Sequence, residues 1–145
     1  MKEDLFLKLR LLAEAGQTNT LRHLACWTAR QTLPNAPFWV KSLDMIEASI
    51  GQEPLGRICW QIREQGQGAA IAAGTIGMRV SPASASALLA CFQCAHLDAY
   101  LAATRTIDMA LQWYRHVTEQ DDDEAFLEHI QDKLDALLLR TGPPG

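Results

Sequence analysis

Glycine and proline divide this chain into runs of about 15 to 20 residues, and inside the runs the apolar residues recur at helical spacing. Leu5, Leu9 and Leu12 share one face of a first segment over Lys2–Ala15, and Gly16 follows as a stop. Thr18, Asn19 and Thr20 offer N-caps for a second helix ending before Pro34. Trp39, Leu43, Ile46 and Ile50 form the stripe of a third, closed by Gly51. Pro54 opens a fourth, with Leu55, Ile58, Cys59 and Ile62 inward, and Gly66 and Gly68 are expected to weaken or break it. A small-residue helix over Ala69–Met78 comes next. Ser81-Pro82 is a cap followed by a first-turn proline, Asp98 starts a seventh helix, and the last begins near Asp123.

No strand-like alternation is present, so the expected fold is all-α: a compact bundle of seven to eight short antiparallel helices. Residues 1–140 read as one domain and 141–145, TGPPG, as a flexible tail. The expected core holds Leu24, Trp39, Leu43, Ile46, Ile58, Ile76, Leu89, Ile107, Leu111, Ile130 and Leu134. The alanine-rich stretch Ala69–Ala110 is expected at the centre, because small side chains let backbones approach closely. LACWTARQTL at 24–33 echoes LACFQCAHLD at 89–98, and SLDMI at 42–46 echoes TIDMA at 106–110. A duplicated helical hairpin would produce that echo; so would chance recurrence in helical cores.

The chain has 145 residues, 48% of them hydrophobic, and a net charge of −4, which argues against a nucleic-acid binder. Its apolar runs fall short of the ~20 residues of a membrane span, and the charged start MKEDLFLKLR is unlike a signal peptide. Cys26, Cys59, Cys91 and Cys94 sit in apolar helical patterns, which points to reduced core thiols and a cytoplasmic protein.

Cys91, Cys94 and His96 are the sharpest constellation for chemistry. Covalent haem attachment fails on spacing, because Ala95 separates Cys94 from His96. A redox pair belongs at a helix N-terminus, and these thiols lie about ten residues into a helix. As zinc ligands the three need a fourth, which Cys26 or His23 could supply across a hairpin. This set is the runner-up reading, a metal- or small-molecule-binding helical protein and conceivable enzyme, beside core packing. No nucleophile motif or phosphate loop is present, so no catalytic residue and no cofactor is expected. Asp44 and Asp108 occupy matching places in the echo and suit ion pairs with arginines such as Arg30 or Arg105.

Charge is uneven along the chain. Residues 1–118 carry 11 basic and 9 acidic side chains, and residues 119–145 carry 2 and 8. Glu119, Asp121, Asp122, Asp123 and Glu124 cluster before the last helix. About two of them suffice to cap it; the others make a field that would steer a basic protein partner. Trp113 lies partly off its stripe and is added as an interface anchor.

The segment Ala25-Cys26-Trp27-Thr28-Ala29-Arg30-Gln31-Thr32-Leu33-Pro34, then Ile46-Glu47-Ala48, then Ala95-His96 resembles the alanine-rich helical immunity proteins of bacterial polymorphic toxin loci. The likeness spans about residues 20–115, and this chain departs from it at Thr104, Arg105, Thr106 and Asp108 and in its acidic last helix. It implies a cytosolic, non-catalytic protein that covers a toxin-like partner. A structural subunit of a homo-oligomer, with the small-residue helices as its seam, is the third reading, and the oligomeric state stays open.

Overall fold

A computed structural model describes the backbone of residues 2–75 and 81–141 and the side chains of residues 2–68 and 81–140. Among the described residues seven α-helices follow one another: α1 Lys2–Glu14, α2 Thr18–Gln31, α3 Val40–Ser49, α4 Leu55–Thr75, α5 Pro82–Cys94, α6 Ala99–Thr118 and α7 Glu124–Thr141. Two 3-10 turns, Leu33–Asn35 and Pro37–Trp39, link α2 to α3. The fold is an all-α multi-helix bundle, without a strand among the described residues. No helix among them is long and apolar enough to cross a membrane.

Local chemistry sets most boundaries. Gly16 and Gly51 end their segments at φ +78°, a conformation that costs glycine nothing. Ser81 accepts a hydrogen bond from the Ser84 N–H ahead of Pro82, and Asp98 accepts one from the Leu101 N–H. The second helix departs from expectation. It starts at Thr18 after Gln17, with no side-chain cap, and Thr20 is buried inside it.

The break expected at Gly66 and Gly68 is absent, and α4 runs through both. Gly66 lies so close to Trp39 and Phe92 that a Cβ there would come within 2.7 Å of the Trp39 ring. Its missing side chain permits a helix contact and does not end a helix. The separate helix expected over Ala69–Met78 is thus the end of α4 as far as Thr75, and the rest lies outside the described residues. So do Ile76 and the tail beyond Thr141.

The centre combines α2 with the α5–α6 hairpin. Leu21, Leu24, Ala25 and Ala29 of α2 meet Ala87, Cys91 and Cys94 of α5 and Ala102, Ala103, Ile107 and Ala110 of α6, all fully buried. The described part of the alanine-rich stretch, in α5 and α6, is therefore central, together with α2. Leu24, Trp39, Leu43, Ile46, Ile107, Leu111, Ile130 and Leu134 are buried as expected, whereas Ile58 and Leu89 are only half-buried. On α5 the buried face consists of Ser86, Ala87, Ala90, Cys91 and Cys94, which turns Leu89 to the flank. The echoed halves differ in form, since α3 has 10 residues and α6 has 20.

Candidate functional site

The acidic run turns the chain from α6 into α7. Arg115 lies in the last turn of α6, and Glu119 ends that helix in the left-handed region at φ 54°. The Glu119 and Gln120 N–H groups both donate to the Arg115 carbonyl. A non-glycine residue held there costs of order 1 kcal/mol, so the surrounding contacts must fix the corner. They do so through rings. Phe126 of α7 is buried, stacks on Tyr114 at 5.1 Å and leans on Trp113 at 6.1 Å.

Within that corner the five acids divide. Asp123 forms a 2.6 Å ion pair with the Arg115 Nη1 and is only 19% exposed. Asp122 accepts a hydrogen bond from the Glu124 N–H at the start of α7. Glu119, Asp121 and Glu124 face solvent. Glu128, Asp132 and Asp135 continue along the exposed side of α7 at successive helical turns, and among the described residues only Asp135 of these has an ion pair, with Lys8. The result is an acidic ridge from the corner along the last helix. Glu119 and Asp121 also edge an open hollow of about 740 Å³, with Gln112 and His116 on its α6 side and Ser81 at the start of α5.

Trp113, expected as an exposed anchor, has a different place. It is half-buried against the core, and its indole N–H donates to the Asn35 Oδ1 at 2.8 Å. That bond ties α6 to the first 3-10 turn, and the one polar atom of the ring is spent inside the molecule. The ion pair expected for Asp44 is present: Arg30 grips Glu47 with two bonds, at 2.6 and 3.0 Å, and Asp44 at 2.6 Å. Asp108 pairs with Lys2 rather than with an arginine.

All four cysteines are buried and free. Cys94 lies 3.5 Å from Cys26, sulfur to sulfur, which is the hairpin-spanning approach anticipated for Cys26. Cys91 turns instead to the Thr32 hydroxyl at 3.8 Å. The His96 Nδ1 accepts the Asp98 N–H at 3.0 Å, and His23 is exposed. Cys91, Cys94 and His96 are thus aimed at three different places, and no group of three histidine, cysteine or acidic side chains among the described residues is arranged to hold a metal. Burial pushes the Cys91 thiol up to about 12. The hydrogen bond to Cys26, with burial, holds the Cys94 thiol well above its ordinary range. Thiols so protonated are poor nucleophiles.

Arg22 was not among the sequence candidates. It is 3% exposed on α2, and its guanidinium donates to the carbonyls of Cys94 at 2.9 Å, His96 at 2.5 Å and Leu97 at 3.3 Å. A cation on the free carbonyls at the end of α5 satisfies them and complements the helix dipole. Arg22, Ala25 and Ala29 share one stripe of α2, so an arginine on an otherwise small, buried face was the available signal. No protein-family model matches this chain, and neither a curated protein nor a solved structure does.

Proposed function

We propose that this protein is a non-catalytic binding module of the cytoplasm, an immunity or adaptor protein that covers a basic surface of a partner protein. The observation that supports this reading is the acidic ridge. Folding uses Asp122 and Asp123 locally, while Glu119, Asp121, Glu124, Glu128 and Asp132 face solvent. The resemblance to alanine-rich immunity proteins points the same way. Binding would be occlusion by a preformed helical surface, with the acids accelerating encounter.

The test is capture from the native host at low salt with two baits, the unmodified chain and one carrying Glu119→Gln, Asp121→Asn, Asp122→Asn and Glu124→Gln. Amides keep part of the capping and lose the dipole term, so the variant should lose about 1–2 kcal/mol of stability and remain folded. The unmodified bait should retain a basic protein that elutes as salt rises, and the variant should not. Equal recovery on both baits, or none on either, would overturn the proposal.

A further inference from the structure

The opposite end of the α5–α6 hairpin carries a second set of unspent groups. Trp60 and Arg63 stand three residues apart on α4, Phe92 lies in the last turn of α5, and Leu97 lies on the corner leading into α6. With Glu64 and Gln67 they line a cleft of about 200 Å³. Trp60 is 54% exposed and Leu97 56%. The Arg63 guanidinium rests 4.7 Å from the centre of the Phe92 ring, and its Nη1 is covered by protein without a hydrogen-bond partner. Neither Arg63 nor Arg105, an exposed cation of α6, has an ion-pair partner among the described residues. Burial first, then Arg63 and then Arg105, make His96 harder to protonate.

We propose that this cleft docks an acidic segment of a partner protein, one in which an aromatic side chain stands next to aspartate or glutamate. Each element of that occupant answers a group in the cleft. Trp60 and Leu97 offer a face for a ring, and such faces gain most when a partner ring excludes water from them. Arg63, half-buried and placed over the Phe92 ring, offers a carboxylate the part of its guanidinium other than the covered Nη1. Arg63 and Arg105 repel a basic segment. Glu64 is the one carboxylate among the described residues that line the cleft, and Asp98 nearby is engaged with the Leu101 N–H. The volume falls below the ~300–1,000 Å³ of small-molecule sites, which suits one side chain projected from a protein. Trp and Arg at the centre of a small pocket are also the residue types that dominate protein interfaces. The cleft and the acidic corner lie at opposite ends of α5, a helix about 20 Å long, so this inference does not rest on the acidic ridge.

The test uses blocked tripeptides and the indole N–H signal of Trp60, assigned with Trp60→Phe. Acetyl-Asp-Phe-Glu-amide should shift that signal saturably at ~1 mM or below. The neutral acetyl-Asn-Phe-Gln-amide and the basic acetyl-Lys-Phe-Lys-amide should each bind at least about tenfold more weakly. Arg63→Gln should cost the acidic probe about tenfold while leaving the thermal midpoint in place. If that variant proves unstable, Arg105→Gln, at an exposed position, should weaken the same probe severalfold. Equal affinity for the acidic and neutral probes, preference for the basic one, or no saturable shift would overturn the proposal. Phenylacetate binding as tightly as the acidic peptide would overturn it in favour of a free small anion.

Discussion

The two ends of the α5–α6 hairpin manage charge in opposite ways. At the α6–α7 corner, charge is held at the surface: Arg115 takes Asp123, Asp122 takes a helix N–H, and the surplus acids stand in solvent. At the other end, the structural charge is buried. Arg22 reaches the end of α5 from inside the core and meets only backbone carbonyls, while Arg63 and Arg105 outside it remain without ion pairs among the described residues. A surface ion pair is worth at most about 1 kcal/mol. A desolvated cation holding several carbonyls matters far more once it is removed. The ends should therefore differ in how much a single substitution costs.

The largest effect is expected at Arg22. Arg22→Met keeps much of the apolar stem but strands buried or half-buried carbonyls of Cys94, His96 and Leu97, at a loss of about 3 kcal/mol in urea unfolding. Arg22→Lys should recover only part of this, because an ammonium cannot reproduce the fork. Amide exchange should quicken first in the last turn of α5 and the first turn of α6. Asp123→Asn, at the other end, should cost about 1 kcal/mol or less. Similar losses for Arg22→Met and Asp123→Asn would erase the contrast between the ends.

Next in size is a pair of glycines in α4, the helix that carries the arginine-side cleft. In an exposed helix interior, Gly→Ala gains up to about 1 kcal/mol. Gly68 has open space around it, so Gly68→Ala should stabilise the protein by about 0.5–1 kcal/mol. At Gly66 the added Cβ would press into Trp39 and Phe92. Overpacking of this kind costs about 1–3 kcal/mol, so Gly66→Ala should destabilise despite the propensity gain. It should also disturb the Trp60 signal, because Phe92 forms part of the same cleft. Thermal midpoints that move in the same direction for both variants would refute the close α4–α5 contact.

These residues also show what could be read before the fold. Ser81-Pro82, Asp98 and Gly16 act within a few residues of themselves, so caps and stops were legible. Arg30 with Asp44 was legible because both lie on neighbouring helices joined by a short link. Gly66 was misread because what surrounds it, Trp39 and Phe92, is 27 and 26 residues away. The charge of the acidic corner was plain in composition, whereas the division of labour among its acids needed the position of Arg115. Trp113 and Trp60 both lie partly off their stripes, and sequence had no means of ranking them. Asn35 takes the indole N–H of one and solvent reaches the other.

The smallest expected effect is also the most specific to unpaired charge. Burial, then Arg63, then Arg105 make His96 harder to protonate in the folded protein than at its ordinary value near 6.5. Between those two values the unfolded chain binds more protons, so stability should climb as pH rises toward 6.5 and gain nothing further from this group above it. At lower pH, once both states are protonated, the penalty is complete and constant. Arg63→Gln removes the largest of the three arginine contributions, those of Arg63, Arg105 and Arg22, and leaves burial in place, so the slope should flatten without vanishing. His96→Gln should abolish it. Urea midpoints for the three proteins across about pH 5 to 7 would resolve the difference. If Arg63 were neutralised by a carboxylate such as Glu64 in solution, Arg63→Gln would leave the slope unchanged, and the distinction between spent and unspent charge at this end would fail.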